Sequence, residues 1–81
     1  MIGTTGFKIG DRVIVIRRGK SMRTDQSGVH ANRDHSVGMR GVVVDRYVTT
    51  LIVLFDGRED QDEVWGEEVR VLDIVEQVAE V

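Results

Sequence analysis

The apolar residues of this 81-residue chain fall into short runs bounded by glycine, aspartate or charged residues. Three runs dominate, at residues 12–17, 41–45 and 51–55, and two shorter ones lie at 63–65 and 69–72. Valine accounts for 15 of the 81 residues, and β-branched side chains pack well on a pleated sheet. The pattern therefore predicts five short strands and an all-β fold.

Turn formers separate these runs. A Gly-Asp pair stands at 10–11, an Asp-Gly pair stands at 56–57, and residues 66–68 have room for one 3₁₀ turn. The apolar spacing within the C-terminal tail, 74–81, supports one or two helical turns. Residues 1–81 are therefore predicted to form a single small antiparallel barrel.

Residues 18–40 form the least regular segment and are predicted to be a long loop after the first strand. Residues 17–40 carry a net charge of +4, whereas the rest of the chain carries −7, so the overall −3 conceals a polarised molecule. The basic residues of this segment are Arg17, Arg18, Lys20, Arg23, Arg33 and Arg40. They are the candidate contacts for nucleic acid or another anion.

The strand runs contain more large aliphatic residues than one small interior needs. Because alternate side chains face opposite sides of a strand, Val13 and Val15 are predicted to point inward, as are Val42 and Val44. The outer row would then comprise Ile14, Ile16, Val43, Ile52 and Leu54. Either the chain's own loop or tail covers this row, or a partner or a second copy covers it.

Candidate chemistry is sparse. The chain has no cysteine, and His30, Asp34 and His35 share a loop without the spacing of a metal site, so solvated histidines are expected. The sequence predicts no catalytic residue, no metal, no cofactor and no enzymatic activity from this chain alone. It contains no signal peptide and no membrane span, so a soluble, cytoplasmic protein that does not bind membranes is expected.

The order of several short motifs resembles a known family. Gly10-Asp11-Arg12-Val13 opens the first strand, and a loop containing histidine and arginine follows. Next come a G-x-x-G-x-V strand from residue 38, a V-x-F strand end at residue 53, and an E-V-W-G tetrad at 63–66. This arrangement is similar to the SH3-like barrel that forms the C-terminal domain of nitrile hydratase beta subunits. Related small barrels serve as accessory subunits in photosystem I and in ferredoxin–thioredoxin reductase.

The resemblance implies a five-stranded SH3-like barrel and a docking role. In the family, an arginine of the loop approaches the metal centre of the partner subunit, and Arg33 is the nearest match here. The spacing from His30 to Arg33 is one residue longer than in the family's H-x-R motif, and the family's large helical domain is absent. These departures favour an accessory protein over a complete hydratase subunit.

The resulting prediction is a non-catalytic, SH3-like interaction module that docks on a larger protein or forms a homo-oligomer. The residues predicted to contact the partner are Ile14, Ile16, Val43, Ile52, Leu54 and Trp65. Two alternatives remain open. One is a small barrel that binds nucleic acid through the basic segment, and the other is a subunit that contributes Arg33 to a partner's metal site.

Overall fold

The computed structural model describes residues 3–20 and 32–79. It contains one antiparallel sheet of five strands and little helix, so the prediction of an all-β fold is confirmed. The strands are β1 (Arg12–Val15), β2 (Arg40–Arg46), β3 (Thr50–Phe55), β4 (Asp62–Trp65) and β5 (Val69–Val71). Each observed strand begins and ends within two residues of a predicted one.

The order of strands across the sheet is β4-β3-β2-β1-β5. The strands β2, β3 and β4 follow one another as hairpins, and β5 returns to pair with β1. Asn32 covers part of the outer edge of β4, because its N–H donates to the Gln61 carbonyl at 3.0 Å and its carbonyl accepts from the Glu63 N–H at 2.9 Å. The segment that precedes β2 is thereby attached to the sheet.

The hydrophobic core lies on one side of this sheet. Its members are Phe7, Val13, Val15, Val43, Leu51, Val53, Phe55, Val64 and Val69. Phe7 and Phe55 are the two aromatic members of this core. Burial of a side chain of this size contributes about 1.5–3 kcal/mol, so this cluster makes a large contribution to stability.

The orientation of the three consecutive valines in β2 is the reverse of the prediction. Val43 is completely buried in the core, whereas Val42 is half-buried and Val44 is exposed, so the inward assignment of Val42 and Val44 is wrong. Gly41 faces the core two residues earlier, where a Cβ would come within 2.5 Å of the Leu54 carbonyl oxygen. Because only glycine fits there, the strand presents Gly41 and Val43 to the interior.

The predicted outer row is exposed only in part. The outward assignment is wrong for Val43, which belongs to the core cluster, whereas Ile52 lies outside that cluster and is fully buried by the chain itself. Ile14 is half-buried, while Ile16 and Leu54 remain 38% and 39% exposed. The chain therefore covers much of this row without a partner.

Two short helices occupy the predicted places. A 3₁₀ helix, Gly66–Glu68, joins β4 to β5, and α1 (Ile74–Val78) follows β5. The Asp73 side chain caps α1 by accepting from the Glu76 N–H at 2.8 Å, and the Glu76 side chain accepts from the Asp73 N–H at 3.2 Å. Within the described ranges, no helix has the length and apolar character needed to cross a membrane.

Candidate functional site

A cluster of buried charged side chains centres on Glu68, the last residue of the 3₁₀ helix. Its Oε1 accepts from the Trp65 N–H at 2.8 Å and from Arg33 Nη1 at 2.6 Å. Its Oε2 accepts from the Gly19 N–H at 2.8 Å and lies 2.9 Å from His35 Nε2. The completely buried carboxylate thus has four polar partners, and we refer to these five residues as the Glu68 cluster.

The Glu68 cluster links the two segments that flank residues 21–31. Arg33 Nη2 donates to the Lys20 carbonyl at 3.0 Å, so a side chain from the later segment holds the backbone of the earlier one. In the opposite direction, the Arg18 guanidinium donates to the carbonyl of His35. The two ends of the long connection are therefore fastened to each other and to the 3₁₀ helix.

His35 lies between two carboxylates within the fold. Its ring is 1% exposed and stacks on Phe55, with the ring centroids 5.8 Å apart. Besides its contact with Glu68, its Nδ1 lies 3.5 Å from Asp62 Oδ2. The expectation that His35 is a solvated loop histidine is therefore wrong, and His30 lies outside the described residues.

Asp62 is the second buried carboxylate beside His35. It accepts a hydrogen bond from the Asp34 N–H at 2.8 Å, which fixes the backbone just before the histidine. Arg58 Nη2 lies 3.7 Å from Asp62 Oδ1 and 3.4 Å from Asp34 Oδ2. Arg58 thus places a compensating positive charge beside the buried carboxylate of Asp62.

The hydrogen bonds of the cluster stabilise the charged form of Glu68. Burial by itself raises the pKa of the Glu68 carboxyl, since it penalises the charged form. The bonds from His35 and Arg33 and from the N–H groups of Gly19 and Trp65 outweigh burial, and they hold the pKa well below the ordinary value of 4.5. Glu68 therefore stays ionised in the folded protein.

The polar contacts of His35, Asp62 and Glu68 join separate segments of the backbone within the fold. A histidine between two carboxylates is a combination used in acid–base catalysis, but catalysis requires contact with the reacting molecule. His35, Asp62 and Glu68 are each 0–1% exposed. Among the residues that the structure describes, no group of three or more histidine, cysteine, aspartate or glutamate side chains is arranged to hold a metal ion.

A basic and aromatic surface lies next to the Glu68 cluster, and we call Arg17, Arg18, Lys20 and Trp65 the Trp65 surface. Arg17 Nη1 donates to the Glu67 carbonyl at 3.0 Å. The Lys20 ammonium lies 4.7 Å from the centroid of the Trp65 ring, and Trp65 Nε1 donates to the Lys20 carbonyl at 2.8 Å. Trp65 is half-buried, between the predicted alternatives of a core anchor and an interface residue.

The structure brings together only some of the basic residues predicted to bind nucleic acid. Arg17, Arg18 and Lys20 fall within four consecutive residues and are exposed. Arg33 is bound to Glu68 within the cluster, and Arg40 begins β2. Arg23 lies outside the described residues.

The sequence interpretation missed the central role of Glu68 and the exposure of the C-terminal helix. Glu67 and Glu68 are identical neighbours, and only the 3₁₀ geometry turns the second one inward. The apolar residues of α1 were recognised for their helical spacing, but spacing alone does not show whether a helix packs against the sheet.

Compared with known proteins, the chain matches no family model, no curated protein and no solved structure.

Proposed function

We propose that this chain is a non-catalytic interaction module of the SH3-like barrel class that docks on a larger protein or enzyme. The observation that carries the proposal is the apolar side of α1, where Ile74 and Val75 are each 76% exposed and Val78 is 67% exposed. An isolated exposed aliphatic residue needs no explanation, but three on one five-residue helix are typical of a binding surface.

Hydrogen bonds link α1 to β5 and to the residue that follows that strand. Arg70 of β5 lies opposite Ile14 of β1 and donates to Glu76 of α1 at 2.8 Å. Gln77 Nε2 donates to the Leu72 carbonyl at 3.0 Å. Because these bonds orient α1 before any partner arrives, docking would cost less conformational entropy than the ordering of a free tail.

The exposed outward residues Ile16 and Leu54 add apolar area on the sheet. Together with α1 they define the proposed docking surface, which we call the apolar surface, consisting of Ile16, Leu54, Ile74, Val75 and Val78. Of the predicted partner contacts, Val43 and Ile52 are omitted because they are buried. Ile14 and Trp65 are omitted because they are half-buried.

The connection between β4 and β5 supports the barrel class. These strands lie at opposite edges of the sheet, which are about 19 Å apart across five flat strands at about 4.8 Å spacing. The 3₁₀ helix between them has three residues, for a rise of about 6 Å. A sheet with this order and this connection has to curl strongly, as the sheet of a small barrel does.

The buried state of the polar cluster supports the non-catalytic part of the proposal. His35 and Glu68 have no face open to a substrate. The alternative role of Arg33 at a partner's metal is disfavoured, because this guanidinium is bound to Glu68 and to the carbonyls of Lys20 and Glu63. To reach a partner, Arg33 would have to abandon a buried carboxylate.

The experiment is a comparison of crosslinked partners in the native host. Tagged wild-type protein is compared with an I74S/V75S/V78S variant, and V48S is the matched control because Val48 is 86% exposed and lies outside the apolar surface. We expect mass spectrometry to identify a defined partner with the wild type and V48S but not with the triple variant. Retention of that partner by a folded triple variant would contradict the proposed surface.

A further inference from the structure

We propose that the Trp65 surface is a second binding site, for single-stranded nucleic acid. In this proposal the indole of Trp65 stacks on one base, while Arg17, Arg18 and Lys20 contact the phosphates on either side. None of these residues belongs to the apolar surface, so this site stands or fails independently of the protein-docking proposal.

The first argument is that no carboxylate among the described residues neutralises these three cations. Four other arginines of the described residues are ion-paired: Arg12 with Asp56, Arg33 with Glu68, Arg58 with Asp34, and Arg70 with Glu76, whereas Arg46 donates to the Phe7 carbonyl. Arg17 and Arg18 instead donate to backbone carbonyls, and Lys20 contacts an aromatic ring. In the part of the chain that the structure describes, none of these three has a carboxylate within salt-bridge distance.

The second argument concerns the indole beside them. Its Nε1 is fixed by the Lys20 carbonyl, and a Cβ on Gly19 would come within 3.0 Å of Trp65 Cδ1, so the ring and the backbone pack closely. The ammonium of Lys20 is held over the ring only by a cation–π contact, which is weak at an exposed site. A base can take its place on the ring while the ammonium moves to a phosphate.

The Glu68 cluster makes this surface rigid without making it acidic. Glu68 fixes the backbone on both sides of the site, through the N–H groups of Gly19 and Trp65. The negative charge of Glu68 is buried and compensated by Arg33. The site is therefore preorganised, and its exposed charge is positive although the whole chain carries −3.

The geometry favours a single strand over a duplex. Base pairing and stacking in a duplex hide the ring faces that an indole would contact, whereas an unpaired base offers a free π face. The cations occupy positions 17, 18 and 20 of one short segment, which suits phosphates that follow each other along one strand. An acidic peptide has charge but no bases, and it serves as the competing ligand in the test.

The first measurement is the fluorescence anisotropy of a labelled oligothymidylate titrated with the full chain at several salt concentrations. Three phosphate contacts on a single strand predict a slope of log affinity against log salt of about −2, from about −0.7 per contact. We expect saturable binding at low salt with this slope. No binding at low salt, where phosphate contacts are strongest, would overturn the proposal.

The second measurement assigns the contacts. K20Q and R17Q/R18Q should weaken binding and reduce the steepness of the slope by about 0.7 for each cation removed. K8Q removes the same charge at the other end of β1 and should leave affinity and slope unchanged. Equal effects of K8Q and K20Q would show a diffuse charge effect and would sink the assigned site.

The third measurement tests stacking without altering the protein. An abasic oligomer of equal length should bind about five- to hundredfold more weakly than oligothymidylate, the range expected for the loss of one stacked base. W65L should show a similar loss toward oligothymidylate and little difference between the two oligomers. If the abasic oligomer or polyglutamate binds the wild type as well as oligothymidylate does, the surface is a general polyanion site and the nucleic-acid assignment is wrong.

Discussion

At the scale of single residues, the central feature is the buried carboxylate of Glu68, which connects the residues of the Glu68 cluster. A buried carboxylate is tolerated only when hydrogen bonds and opposite charges compensate for the loss of water. Glu68 has both, because two N–H groups, the Arg33 guanidinium and the His35 ring all contact its two oxygens. Removal of the Glu68 carboxylate would therefore leave all four of these polar groups without their hydrogen-bond partner at once.

The substitution E68Q should lower the free energy of unfolding by about 3 kcal/mol, the cost of removing one partner from a buried ion pair. Glutamine keeps the shape of the side chain but leaves Arg33 without its counter-charge. Urea denaturation measures the loss. The control is E67Q at the exposed neighbouring position, which should change stability by less than about 0.5 kcal/mol. Equal effects of the two substitutions would refute the central role of Glu68.

The residues of this cluster could not be predicted from the sequence, although their neighbours could. Phe55 ends an apolar strand, and its burial follows from the pattern alone. His35 lies among polar residues in a loop, and its burial depends on a contact with Phe55 and on two carboxylates that are 27 and 33 residues away in the chain. Such contacts depend on how the sheet curls, which no local periodicity encodes.

At the scale of elements, β2 shows which structural features the hydrophobic pattern of the sequence determines and which it does not. The run of valines correctly predicts a strand, but three identical neighbours fit either orientation equally well. The close approach of Gly41 to the backbone of β3 selects one orientation, and a register shift between Val43 and Asp45 then changes the alternation. The sequence therefore predicts that β2 is a strand, but it does not predict which of the β2 side chains face the core.

The substitution G41A should destabilise the protein by about 1–3 kcal/mol, as overpacking of a tight site does. The added Cβ would meet the Leu54 carbonyl oxygen at 2.5 Å and the Phe55 Cα at 2.8 Å, and backbone atoms cannot move aside as a side chain can. V44A, at an exposed position of the same strand, should cost less than about 1 kcal/mol. A stability of G41A equal to that of V44A, measured by thermal and urea unfolding, would contradict the packing argument.

The helix α1 should depend on its cap rather than on the core. In D73A the Glu76 N–H loses its acceptor, and the helix should lose about 1 kcal/mol of stability. Amide hydrogen exchange should therefore accelerate at Glu76 while the exchange of buried Val53 in β3 stays unchanged. Acceleration at both amides would show that α1 and the sheet unfold together, against the expected dependence of α1 on its own cap.

At the scale of the whole molecule, several carboxylates are paired with arginines and have altered pKa values. Arg12 holds the pKa of Asp56 below its ordinary value, and Arg70 holds the pKa of Glu76 at about 2. Although burial raises the pKa of Glu68, hydrogen bonds inside the fold hold it below its ordinary value. The three carboxyl groups therefore act together on stability.

The paired acids predict that the protein loses stability in acid. Because Asp56, Glu68 and Glu76 have folded pKa values below their unfolded values, the folded state binds fewer protons than the unfolded state between these values. Their contribution is complete above the ordinary carboxyl pKa, and it is lost as the pH falls from about 4.5 toward about 2. The buried Glu68 carboxyl adds a slope of at most about 1.4 kcal/mol per pH unit to the free energy of unfolding, and the surface groups Asp56 and Glu76 add smaller contributions that solvent screens.

Urea unfolding of the wild type and E68Q at a series of pH values tests this linkage. The two proteins should differ most above pH 4.5 and converge as the pH falls, since protonation removes from the wild type what the substitution has already removed. R70Q should independently reduce the slope of the free energy of unfolding against pH, because it removes the hydrogen bond that lowers the pKa of Glu76. Parallel curves for the wild type and E68Q across this range would mean that Glu68 is not the ionised centre of the cluster.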